Sequence, residues 1–315
     1  AASPSMLGAD VRAYGDRSPF EKAARAHGTA NLKTSSSRTP LDQTYGIITP
    51  APLHFERHHA GVPALDPAKH ELLIHGLVDR ELVFTLADLK RLPSVSKIHF
   101  LECAGNSGAE WQGSAGTPQN GCGLASCSEW TGVSVKTLLE ECGVKAEGKW
   151  AIAEGGDACL MARSIPLSKL ADDALIAYGQ NGEALRPEQG YPMRLLLPGW
   201  EGNTSVKWLR RLHIVNAPVD SREETSHYTD LQPDGKARQY TFDMDAKSLV
   251  LHPAGGQHRT AATFNANSTT ASKKTNPGTR GPDHSMRPRF RIPVATTTAV
   301  AYRAMGVVWH SDADE

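Results

Sequence analysis

Val95-Ser-Lys-Ile-His-Phe-Leu-Glu-Cys103 runs without a break into Ala104-Gly-Asn-Ser-Gly108. The first part is apolar-rich and predicts a strand; the second is a run of small residues and predicts a loop. A cysteine at the end of a buried strand projects from a sheet edge into a cleft. Small residues behind it let a bulky ligand approach the backbone. A soft thiolate suits a transition metal, and a single cysteine suits a metal whose other ligands come from a cofactor. A buried structural cysteine is the competing reading.

On either side of this stretch the chain alternates short strands and helices irregularly. HELLIHGLV (70–78) has strand character and leads into TLADLKRL, where Thr85 and Asp88 form a capping-box start and Pro93 a stop. Ser134 precedes VKTLLEECG, with Val135, Leu138, Leu139 and Cys142 on one face and Gly143 as the C-terminal stop. KWAIAEG, ALIAY, MRLLLP and VKWLRRLHIV supply four more strand candidates. Without a regular strand–helix cadence, a mixed α+β domain fits better than a doubly wound one. Residues 1–44 are rich in Ser, Thr, Ala and charge and are expected to form an irregular N-terminal arm. Residues 45–250 form the folded body, and 251–315 a poorly ordered C-terminal remnant.

The 315 residues carry 34 Lys+Arg against 34 Asp+Glu, which argues against nucleic-acid binding by bulk charge. That balance is a sum of unlike parts. Residues 251–315 hold eight basic and four acidic side chains, leaving the body near −4 and the tail near +4. No apolar run reaches the roughly 20 residues of a membrane helix. Five cysteines are an odd count without a CxxC pair, so a disulfide framework or a zinc knuckle is not expected. The small, polar AASPS start is that of a chain whose targeting peptide has been removed, so export is expected.

Two further stretches hold candidate ligands for an anion. FERHHAGVP (55–63) places Arg57, His58 and His59 in a row, a spacing ill-suited to one metal ion. Recognition of an anion or cofactor by one Arg and one His is the sharper reading, and two surface histidines the plainer one. GYPMRLLLPGWEGNTSVKWLRR (190–211) brings Arg194 and Lys207 near a Pro-Gly-Trp turn, the cations a phosphate requires. The turn is not a P-loop.

Taken together, Cys103-Ala-Gly-Asn106, FERHHAGVP, SCSEWTG (126–132), QNGEALRPEQGYPMR (180–194), PGWEGNTSVKWLRRL (198–212) and REETSHYTDLQPDGKARQYTFDMDAKS (222–248) resemble the sulfite oxidase family of molybdopterin enzymes. Within it they look like the SoxC-type molybdenum subunit of sulfane dehydrogenase. The similarity covers roughly 45–256. It implies molybdenum held by a pyranopterin dithiolene and one protein thiolate, at the position of Cys103. It implies Arg57 and Trp130 bordering an oxyanion pocket, and Tyr228 bonding to the metal-oxo region. His59, Arg194, Ser205 and Lys207 match positions that hold the pterin and its phosphate.

Gln189 stands where sulfite oxidases commonly carry His, and Ser107-Gly108 replaces an Arg pair that helps to bind free sulfite. The resemblance therefore implies oxidation of sulfane sulfur presented on a carrier protein, in the periplasm, with electrons passed to a dihaem cytochrome c. A sulfite dehydrogenase, a nitrate-reductase-like relative and a cofactor-less binding protein on the same scaffold are the alternatives. The likeness fades after AKSLVLHPAGGQ (246–257), where the family continues into an immunoglobulin-like dimerisation domain; only RFRIP (289–293) matches a strand of it. That domain is expected to be missing or disrupted by a reading-frame change or deletion over 257–315, which puts the homodimer in doubt.

Overall fold

A computed structural model describes residues 14–30, 35–108 and 117–244. The expectations for 245–315, including the immunoglobulin-like domain, lie outside the described residues. In chain order the strands and helices are β1 (Ala26–Ala30), β2 (Ser35–Arg38), β3 (Glu56–His58), β4 (Glu71–Gly76), β5 (Leu82–Thr85), α1 (Leu86–Leu89), β6 (Val95–Glu102), α2 (Pro118–Cys122) and β7 (Ala125–Ser134). They continue as α3 (Val135–Cys142), β8 (Trp150–Gly155), β9 (Ala162–Pro166), α4 (Leu167–Asp172), β10 (Leu175–Gln180), β11 (Glu183–Ala184), β12 (Arg194–Leu196), β13 (Leu209–Val215), α5 (Arg222–Ser226), β14 (Thr229–Leu231) and β15 (Ala237–Gln239).

The architecture is mixed α+β. One five-stranded sheet runs β5-β4-β13-β8-β9, with β4 and β13 parallel and the other pairs antiparallel. A second, antiparallel sheet runs β11-β10-β7-β6, with β12 also paired to β10. A small sheet joins β1, β2 and β3, so part of the Ser-rich N-terminal segment is stitched to the Arg57-bearing strand.

Local rules set the elements between. Thr85 and Asp88 close a reciprocal capping box on α1. Helix α3 ends at Gly143, which takes φ +69° so that its N–H can reach Leu139 and Glu140 carbonyls. Val135, Leu138, Leu139 and Cys142 are buried on its inner face.

Period-2 alternation in the antiparallel sheet sorts its side chains between two cores. Ile176 and Leu195 join the large core of Leu72, Ile74, Leu138 and Leu212 between the sheets. Their neighbours Leu175, Ala177 and Leu196 join Phe55, Leu101 and Trp130 on the opposite face. That second face backs the cleft described next. At Gly132 strands β7 and β10 come so close that an added Cβ would lie 2.7 Å from the Ala177 Cα and against the Ile176 carbonyl. Gly132→Ala is expected to cost about 1–3 kcal/mol through overpacking, measured by denaturant unfolding.

Candidate active site

Strand β6 delivers Cys103 to the wall of a cleft. Strand β3 and its flanks supply Phe55, Arg57 and His59. Strand β12 supplies Arg194, the segment after the 3-10 turn Gly202–Thr204 supplies Ser205 and Lys207, and the residue pair after α5 supplies Tyr228. Seven of the eight residues singled out from the sequence therefore line one cleft, from segments more than 170 positions apart. Trp130 does not border it. The indole is fully buried one layer behind, its N–H donating to the His99 carbonyl at 3.1 Å. It meets the site through Arg194, whose guanidinium lies 5.1 Å from the ring centre.

The cleft floor is cationic. Arg194 is 3% exposed and donates to the carbonyls of Leu195, Gln189 and Ser205 at 3.4, 3.0 and 2.8 Å. Lys207 donates to the Arg57 and Glu188 carbonyls, both at 3.0 Å, and to His58 Nδ1 at 2.8 Å. Among the described residues neither cation lies within ion-pair distance of a carboxylate. Burial pulls Arg194 down to about 9, and burial together with Arg194 pulls Lys207 down to about 7. Ser205 is buried and fixes the turn, its hydroxyl accepting from the Leu197 N–H at 2.9 Å. Arg57 donates to the His58 carbonyl, and His59 stacks on His227 with ring centres 6.0 Å apart. Burial and the nearby Arg57 bring His59 down to about 4, so it is neutral at physiological pH.

Cys103 and Tyr228 line the same cleft. Burial raises the Cys103 thiol above its ordinary range and holds the Tyr228 hydroxyl protonated. Behind Tyr228, the Arg163 guanidinium sits 4.5 Å from its ring centre.

A phosphorylated pterin carrying a metal fits this donor set. Two buried cations without contacting carboxylates await a dianion, as charged groups taken out of water require. His54 Nε2 and Asn203 Oδ1 are buried in the cleft lining without a hydrogen-bond partner, an unmet demand that a polar ligand can satisfy. Among the described residues no three His, Cys, Asp or Glu side chains converge, and Cys103 is the one cysteine that lines the cleft. A buried thiol is a poor anion by itself, but metal coordination deprotonates it.

One consequence concerns pH. Lys207 is charged below about 7 and neutral above it. The affinity of the ligand-free cleft for sulfate, a dianion throughout this range, is therefore expected to fall as pH rises from about 6 to about 8, followed by calorimetric titration.

The residues that sequence reasoning missed are His54, Asn203, Asp157 and Met161 of the lining, and Arg163 behind it. His58 was visible as one of a pair, but its 2% exposure and its bond to Lys207 were not.

Comparison with known proteins gives the family. The family described as oxidoreductase molybdopterin binding domain matches residues 59–223. The crystal structure of the sulfane dehydrogenase SoxCD from Paracoccus pantotrophus superposes with a TM-score of 0.75 at 46% sequence identity, covering 79% of this chain and 66% of that one. The NADH nitrate reductase of Ulva prolifera is 37% identical over 189 residues, and the NAD(P)H nitrate reductase of Hordeum vulgare 35% identical over 222. These matches cover 54% and 62% of this chain, which spans only 21% and 23% of the nitrate reductases' length. Cleft, thiol and family match converge: the chain belongs to the sulfite oxidase family of molybdopterin oxidoreductases, SoxC-like within it, and takes a molybdenum–molybdopterin cofactor.

Proposed function

We propose that this chain oxidises sulfur compounds, most specifically sulfane sulfur carried on a partner protein's cysteine, and passes the electrons to a dihaem cytochrome c in the periplasm. The observation that carries the reading is the 46% identity to a sulfane dehydrogenase across 79% of the chain, well above that to the nitrate reductases. The loop after Cys103 supports it. Ser107 turns toward Cys122, with Oγ 3.8 Å from Sγ, so this loop brings no cation to the substrate side at Ser107-Gly108. Less fixed positive charge suits sulfur bound to a carrier better than free sulfite.

The bound cofactor supplies two-electron oxygen-transfer chemistry. The chain's own residues orient and tune it. Arg194, Ser205 and Lys207 would hold the phosphate end, and His59 would contact the pterin. Cys103 would be the single protein ligand. Arg57 offers a fixed positive charge to sulfur oxygens as they become anionic, a preorganised contribution that needs no reorganisation during reaction. Tyr228, kept protonated by burial, is a hydrogen-bond donor in the same cleft.

The test is direct competition. The molybdenum-loaded full chain is offered a persulfidated carrier protein, free sulfite or nitrate, with a cytochrome c or a reduced dye as electron partner. Faster turnover of the persulfidated carrier is expected. Preference for sulfite would make the chain a sulfite dehydrogenase, and turnover of nitrate alone would favour the reading that the nitrate reductase likeness suggests. A folded chain that takes up no molybdenum would instead be a binding protein on this scaffold.

A further inference from the structure

The Lys207 ammonium has three N–H donors, and all are engaged: by the carbonyls of Arg57 and Glu188, both at 3.0 Å, and by His58 Nδ1 at 2.8 Å. Two of these acceptors are main-chain oxygens. The third belongs to a side chain that is itself held from behind. His58 Nε2 lies 2.7 Å from Glu56 Oε2, so the carboxylate fixes the ring with its proton on Nε2 and its Nδ1 lone pair toward the lysine. Glu56 is held in turn by Ser37, whose hydroxyl donates to Oε1 at 2.9 Å, and by the Arg25 guanidinium 3.0 Å from the same oxygen. Arg25 also reaches Glu188 at 3.5 Å, the residue whose carbonyl accepts from Lys207. Burial works against the Glu56 charge, but the His58 N–H and Arg25 outweigh it and draw the carboxyl down to about 2.

We propose that Glu56 and His58 are positioning residues for Lys207, and that Arg25 and Ser37 bring the N-terminal segment into the anion site as its outer support. The proposal rests on the reading of Lys207 and Arg194 as the cations that hold a phosphate. Its physical sense lies in two opposed needs. A lysine on a four-carbon stem has wide rotamer freedom, so a defined ammonium position must be fixed before the ligand arrives. A carboxylate touching the ammonium would fix it, but would also compete with an incoming dianion. An imidazole between them keeps the negative charge one ring away while still aiming the lysine. With all three N–H groups held by the chain, the ammonium acts on the dianion as a fixed charge.

The experiment uses the full chain without cofactor, its fold checked by circular dichroism, titrated with sulfate by calorimetry at a pH below 7. His58→Leu is expected to weaken sulfate binding about tenfold, because the ammonium loses the acceptor that fixes its position. His58→Gln, whose amide oxygen can replace Nδ1 as acceptor, is expected to restore affinity to within about threefold of wild type. Arg25→Met weakens binding and Arg25→Lys restores it. In the loaded full chain, pterin release followed by fluorescence is expected to be faster for His58→Leu than for His58→Gln. Wild-type affinity in His58→Leu, or an equal loss in His58→Gln and His58→Leu, would overturn the positioning role and leave only packing. Absence of sulfate binding by the folded wild-type chain would overturn the anion-site reading, and the relay with it.

Discussion

Replacing Cys103 with Ser is expected to lower sulfur oxidation by about two to three orders of magnitude, since a hydroxyl is a poor ligand for a soft-demanding metal site. The geometry makes the effect specific. Cys103 follows β6, its N–H donates to the Leu124 carbonyl at 3.0 Å, and the loop behind it is pinned by Asn106. The Asn106 amide donates to Glu102 at 2.9 Å and accepts from the Leu124 N–H at 3.0 Å. These bonds do not use the thiol, and the Gly105 N–H that does reach it can be accepted by a hydroxyl as well, so the substitution keeps the loop while removing the ligand. Cys142, fully buried on α3, and Cys127, whose thiol burial pushes up to about 12, are core residues. Their Ser variants are expected to lose stability rather than chemistry. Steady-state turnover beside thermal melts separates the two classes, and substantial activity in Cys103→Ser would remove that residue from its role.

Glu224→Ala is expected to destabilise the fold by about 3–5 kcal/mol, the range for stranding one partner of a buried ion pair. Glu224 and Arg163 are each about 1% exposed, with Arg163 Nε 3.7 Å from Glu224 Oε1. Glu224 also accepts from the Ser164 N–H and hydroxyl and closes the capping box of α5 through the Ser221 N–H at 2.9 Å. Its loss leaves the Arg163 charge buried without its counter-charge and unties α5 from β9. Because Tyr228 follows α5 and lies under Arg163, activity is expected to fall even below the melting temperature. Denaturant unfolding measures the stability change. A loss under about 1 kcal/mol would show that Arg163 finds other compensation.

How far the sequence carries the reading depends on which physical signal each residue leaves. Strand β6 and helix α3 were legible because apolar period, cap and stop agree over a short window. The same is true of the capping box on α1. Strand β7, the longest among the described residues, is not legible as a strand: Ala125–Ser134 is largely buried on both faces and rich in Ser, Cys and Gly, so alternation is absent. The cleft residues came from separated motifs matching a family in order, and convergence of seven of them is a three-dimensional fact that no local window contains. Arg163 sits in a short strand, where an arginine ordinarily reads as solvated. Arg25 and Ser37 lie in a Ser-rich segment whose composition suggests an arm, and nothing near them in sequence points to Glu56. Trp130 shows the converse limit: the motif puts it at the border of the pocket, but its side chain is buried in the layer behind the cleft.

The central claim is that this cleft holds molybdenum through Cys103 and a pterin dithiolene. X-ray absorption at the molybdenum edge tests it most directly, on the loaded full chain and its Cys103→Ser variant. The account predicts that the variant's metal, where retained, has one sulfur neighbour fewer than the wild type's. An unchanged sulfur count would contradict it.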